Sequence, residues 1–164
     1  ITCQSTGRCR MPSLPTYESE GFMVDRDKVE SLIRHLRQYT SNLRVIVEQE
    51  QDDFLQDPRS IGSARYYLQV SIETCINIAN HIIATERLRA PQDYRDSFKV
   101  LNEAGILPDD FVDTMRELAG LRNLLVHLYW DVDDEMVYGG IRAELDDFET
   151  FVGDIAAFLE RGGT

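Results

Sequence analysis

Leu-Ala-Gly-Leu-Arg-Asn-Leu-Leu-Val-His-Leu-Tyr-Trp-Asp-Val-Asp-Asp, residues 118–134, sets Leu118, Leu121, Leu125 and Leu128 at steps of three and four. That is the spacing at which a helix buries one stripe. Among the leucines and just after the last of them lie three groups able to act on phosphate. Arg122 offers a planar, permanently charged fork, His127 gains or loses a proton near neutral pH, and Tyr129 carries a hydroxyl. The rest of the chain reads as the scaffold that holds them.

Outward from this stretch the pattern stays helical. Asp25 opens an amphipathic helix whose stripe of Val29, Leu32, Ile33, Leu36, Tyr39, Leu43, Ile46 and Val47 is expected to run to about Asp53. Asp57 followed by Pro58 supplies an N-cap and a first-turn proline for a second long helix. Its stripe of Ile61, Ala64, Leu68, Ile72, Cys75, Ile76, Ala79, Ile82 and Ile83 makes it the most buried element. A short third helix is expected from Asp93 to Ala104, ended by Gly105. The fourth is expected from Pro108 to about Leu128, and a fifth is capped by Asp133 or Asp134. Gly139 and Gly140 each cost on the order of 1 kcal/mol relative to alanine in a helix, so a kink or a close helix approach is expected there. No segment reads as a strand, and the short joints imply an all-α, antiparallel helical bundle of four to five helices.

At 164 residues, 43% hydrophobic and 28% charged, the chain is one ordinary globular domain. Residues 1–22, with Gly7, Pro12, Pro15 and Gly21 among polar residues, show no periodicity. They are expected to be a flexible N-terminal tail or extension, leaving 23–164 as the helical domain. No stretch approaches the roughly 18 apolar residues of a membrane span. Nor does the N-terminus read as a signal peptide, so a cytoplasmic location and no membrane partner are the expectation. Cys3 and Cys9 could pair, whereas Cys75 sits in an apolar run as a small hydrophobe. No Cys-x2-Cys or His-x3-His pair suggests a metal site.

The net charge of −12, with 29 acidic against 17 basic residues, argues against a chain that simply coats nucleic acid. From Asp131 onward ten acidic residues face only Arg142 and Arg161, whereas the central part holds Arg59, Arg65, Arg87, Arg89, Arg95 and Lys99. An acidic protein can still act on RNA by gathering its arginines in one cleft. Acidic residues kept for solubility explain the balance equally well.

The spacing Arg122, four residues, His127, one residue, Tyr129 resembles the Arg-x4-His-x-Tyr signature of the HepT-like (DUF86) branch of the HEPN superfamily. The Tyr-Trp-Asp-Val-Asp-Asp continuation, the run Glu73–Ile83 and the stretch Pro91–Phe98 are similar to the same branch, in the same order. The likeness spans about Met23 to the C-terminus. It implies a HEPN-like homodimer, metal-independent endoribonuclease activity and no cofactor. It also implies a partner, an MNT-type nucleotidyltransferase antitoxin that transfers AMP from ATP to the motif tyrosine, here Tyr129. The chain has no Gly-Lys-Ser/Thr loop, so it would be the substrate of that transfer.

RNA brings its own nucleophile, the 2′-hydroxyl. A ribonuclease must remove that proton, protonate the leaving 5′-oxygen and stabilise charge on phosphorus. An imidazole suits the proton work and a guanidinium the charge, which fits His127 and Arg122. Five residues apart, they lie about 140° from each other on a regular helix. The helix end at His127 and the length of arginine relieve this. Asn123 shares a face with His127 and could orient the imidazole or contact phosphate. One Arg–His pair lacks a second proton-transfer group, which the dimer implied by the resemblance would supply.

Blander readings stand beside these. His127 could serve only to complement the helix dipole, Arg122 could pair with the acids after Asp131, and Tyr129 and Trp130 could simply pack. Asn80 and His81 could line the cleft or form a satisfied polar pair between helices. Glu73 and Asn77, one turn apart on a polar strip, are further candidates, and His35 reads as surface. The rival function is a non-catalytic HEPN-type helical subunit that binds nucleotide or nucleic acid and docks onto a nucleotidyltransferase.

Overall fold

The computed structural model describes residues 24–162, and these form six α-helices and no strand. The expected tail at 1–22 and the possible Cys3–Cys9 pair lie outside the described residues. In order, the helices are α1 (Arg26–Ile46), α2 (Gln51–Gln56), α3 (Pro58–Thr85), α4 (Tyr94–Glu103), α5 (Val112–His127) and α6 (Asp134–Arg161). A 3-10 turn at Tyr129–Asp131 joins the last two. The structure is the all-α bundle expected, with one helix more than the five allowed for.

Local chemistry sets several boundaries. The Asp57 carboxylate accepts from the Arg59 backbone N–H at 3.0 Å and the Ser60 hydroxyl at 2.8 Å, and Pro58 follows it as first helical residue. Asp93 caps α4 through the Asp96 N–H, and Asp133 caps α6 through the Glu135 N–H. Gly105, at φ +71°, ends α4 in the left-handed region that favours glycine.

Three expectations are corrected. The first helix does not run to Asp53 but stops at Ile46, and α2 follows after a turn. Tyr138 donates to the Gln49 carbonyl and Arg142 to the Val47 carbonyl at 3.0 Å, so side chains of α6 satisfy the backbone that the break exposes. The turn allows Phe54 to be fully buried, with its ring 5.0 Å from that of Tyr138. Likewise Pro108 begins a turn and α5 starts only at Val112. Asn102 donates to the Leu107 carbonyl and to Asp109, holding the turn, while Phe111 is buried. Finally, α6 runs unbroken through Gly139 and Gly140, and no neighbouring helix approaches either one. A Cβ on Gly139 would meet nothing within 4 Å, and one on Gly140 would meet only the Glu144 carboxylate of its own helix, at 3.2 Å.

The core centres on α3, which packs against each of the other five α-helices. Leu68, Ile72, Cys75, Ile78, Ala79 and Ile82 are fully buried along it. Burial pushes the Cys75 thiol well above its usual range, as an inert apolar packing residue requires. None of the helices among the described residues is long and apolar enough to cross a membrane.

Gly139→Ala adds a methyl to open space and removes backbone freedom from the unfolded chain. It is expected to stabilise the fold by about 0.5–1 kcal/mol in urea titration, with Gly140→Ala giving less because Glu144 must shift.

Candidate functional site

Helix α3 leaves one polar line uncovered by its apolar faces: Arg65, Gln69 and Glu73, four residues apart. Each engages something needed at the motif. Glu73 Oε1 accepts from Arg122 Nε at 3.1 Å and from Gln69 Nε2 at 3.2 Å, and it forms an ion pair with Arg122 Nη2 at 2.9 Å. Arg122 is only 16% exposed, so this ion pair sits largely out of water. Its guanidinium also lies 5.1 Å from the Tyr94 ring centroid at the start of α4, and its Nη1 donates to Asn123 Oδ1 at 3.3 Å.

A second guanidinium crosses α5 one half-turn earlier. A Cβ at Gly120 would fall 2.3 Å from Arg95 Nη2, so Gly120 is the gap through which Arg95 of α4 lies on α5. Arg65 holds the other end of the motif. It donates to the Tyr129 carbonyl at 2.7 Å, the Val132 carbonyl at 2.9 Å and the Asp134 carboxylate at 2.8 Å, thereby fixing the turn that follows α5.

Arg122, Asn123 and Glu73 are thus brought together, and the pairing of Arg122 with the acids after Asp131 is replaced by one with Glu73. His127, the last residue of α5, is exposed, as is Tyr129. The Asn123 amide oxygen turns to Arg122 and not to the imidazole. Asn80 accepts from Ser97 at 2.8 Å as part of the α3–α4 interface, and Asn77 is exposed. His81 Nε2 is buried with no partner among the described residues. His35 is exposed and stacks on Tyr39. Tyr94, Arg95 and Arg65 were not individually recognisable as site residues. The one signal for Arg95 was a glycine in mid-helix at position 120.

Beyond the turn, α5 and α6 flank an open pocket of about 410 Å³, apolar at Leu121, Leu124 and Val137 and acidic at Glu144 and Asp147. Burial, reinforced by Asp147, pushes the Glu144 carboxyl up to about 7, and its Oε2 is buried without a hydrogen-bond partner among the described residues.

Comparison with known proteins places these features in a family. Residues 30–155 match the family model described as Ribonuclease HepT-like. The chain is 37% identical over 108 residues to the mRNA nuclease HepT of Shewanella oneidensis, covering 66% of this chain and 77% of that protein. It is 26% identical over 133 residues to the tRNA nuclease HepT of Aphanizomenon flos-aquae, covering 80% and 89%. Its fold matches a tri-AMPylated Shewanella oneidensis HEPN toxin, solved in complex with an MNT antitoxin. That match has a TM-score of 0.75 at 30% identity and covers 80% of this chain and 98% of that one.

Glu144 provides a test by pH. The folded state holds its proton up to about 7 and the unfolded chain only to about 4.5, so the carboxyl favours folding at low pH and that contribution is lost as pH rises between the two. Glu144→Gln, which keeps the neutral form, is expected to raise the thermal midpoint at pH 8 and to change it little at pH 4.5. A difference that stays constant across the interval would show that the carboxyl is not shielded.

Proposed function

Because this chain belongs to the HepT-like ribonuclease family, we propose that it is a metal-independent endoribonuclease toxin, homodimeric and restrained by an MNT-type nucleotidyltransferase antitoxin. The observation that carries the reading is the state of Arg122, held in place by Glu73 and Tyr94 on the helix that ends in an exposed His127.

In this reading His127 takes the 2′-hydroxyl proton, and the 2′-oxygen attacks the adjacent phosphorus. The 5′-oxygen leaves with a proton from the imidazole of a second copy's motif across the dimer cleft. The products are a 2′,3′-cyclic phosphate and a 5′-hydroxyl, with no net change in protons. The Arg122 guanidinium binds the non-bridging oxygens as charge builds on them, and Asn123 and Glu73 keep the fork oriented. Asn123 is a supporting polar group and Tyr129 a substrate contact.

Tyr129 is also the proposed modification site. Its hydroxyl would attack the α-phosphorus of ATP on the antitoxin, forming O-AMP-tyrosine and releasing pyrophosphate. At 61% exposure the side chain is accessible to a partner. A nucleotide two residues from His127 would block the cleft and repel RNA phosphate. The tri-AMPylated state of the Shewanella toxin supports this assignment.

The test is cleavage of total RNA by purified protein in excess EDTA. Wild type is expected to give discrete products with 2′,3′-cyclic phosphate ends, absent with His127→Ala and Arg122→Ala. Loss of all cleavage in EDTA would overturn metal independence. No cleavage under any condition, from protein whose intact mass shows no adduct on Tyr129, would favour a non-catalytic helical partner. Glu73→Gln keeps the shape but removes the charge that aligns Arg122, and is expected to lower kcat about 10- to 100-fold with the fold intact by circular dichroism.

A further inference from the structure

Trp130, the single tryptophan of the chain, is 65% exposed beside an equally open Tyr129, their ring centroids 5.1 Å apart and edge to face. Rings of this size usually contribute to folding by leaving water. Here they are held out on a turn that is fixed, because one guanidinium rooted in α3 grips the carbonyls of Tyr129 and Val132 and the carboxylate of Asp134. Trp130 follows His127 by three residues, which span at most about 11 Å of chain.

We propose that Trp130 is a stacking platform for an unpaired nucleobase of the RNA next to the scissile phosphate, with Arg65 as its positioning residue. The inference rests on the ribonuclease reading above. Aromatic faces accept any base, whereas a paired duplex hides its base faces, so such a platform selects single-stranded RNA.

The neighbouring carboxylates fit a base better than a phosphate. Asp134 is ion-paired with Arg65 at 2.6 Å, the Asp133 carboxylate caps α6, and Asp131 lines the α5–α6 pocket. They leave little positive charge for a phosphate at the turn, so the neutral base face is the part of RNA that the ring can take. Phosphate binding then falls to Arg122.

The experiment uses short single-stranded oligoribonucleotides carrying 2′-fluoro in place of every 2′-hydroxyl, which removes the nucleophile. With one tryptophan, intrinsic emission reports position 130 alone. Saturable quenching is expected at fixed protein concentration, and Trp130→Ala is expected to weaken binding and raise the cleavage KM about tenfold with kcat nearly unchanged. Trp130→Phe should restore most of the loss, and Arg65→Ala should raise KM at least as much while also lowering kcat, because it releases Tyr129 together with Trp130. The Trp130→Ala loss should be the same at low and high salt, in contrast to an Arg122→Ala loss.

Unchanged KM in a Trp130→Ala protein that still cleaves RNA would overturn the platform and leave the ribonuclease reading intact. Emission that follows protein concentration and ignores RNA would overturn it in favour of a contact between copies. Failure of the wild type both to cleave RNA and to bind the oligomers would instead remove the ribonuclease reading, and the platform with it.

Discussion

Arg122 lies 16% exposed between three helices, and its charge is tenable there because Glu73 faces it. Removing one partner of a buried pair leaves an uncompensated charge at a cost of about 3–5 kcal/mol, reduced here by the partial exposure of Glu73. The Tyr94 ring adds roughly 0.5–1 kcal/mol at such a site, so the carboxylate dominates and the ring refines orientation. The same pair ties α3 to α5 across 49 residues of chain and is what makes a flexible side chain a fixed one. A guanidinium held in this way loses little entropy when it meets a phosphate.

Glu73 belongs to a line on α3, and the line has a reason. Most of the circumference of α3 is apolar and must be covered, which draws the other helices around it. The strip that remains is polar and faces the motif. Arg65 grips the turn after α5, Gln69 braces Glu73, and Glu73 holds Arg122. One rigid helix therefore sets the separation between the buried end of the motif and its exposed end. His127, Tyr129 and Trp130 stay open to solvent while their backbone is fixed.

The charge distribution follows the same division. The acidic excess after Asp131 is partly structural: Asp133 caps, Asp134 pairs with Arg65, and Glu144 is pressed into the α5–α6 pocket. Acids that cap helices or pair with arginines add little field at the motif, while the rest give the remaining surface a field that repels any polyanion. An acidic chain is thereby consistent with a site built on arginine.

Sequence alone determined what local chemistry controls. The apolar stripe of α3, the cap at Asp57, the start of α4 at Asp93, the cap of α6 at one of two aspartates and the stop at Gly105 depend on residues within one or two turns, and each was readable. The Arg122, His127 and Tyr129 spacing stood out only through its resemblance to a family pattern, since local chemistry alone leaves each of the three a blander role. Tertiary structure decided whatever depends on distant partners. The break after Ile46 exists because Tyr138 and Arg142, some 90 residues on, satisfy its carbonyls and let Phe54 into the core. The short turn at Pro108 depends on Asn102, and the open space beside Gly139 and Gly140 depends on where the other helices pack. Above all, no spacing rule joins Glu73 to Arg122 or Arg65 to Tyr129. A charge in an interface takes whichever partner the packing brings within about 3 Å, and packing is a property of the whole chain.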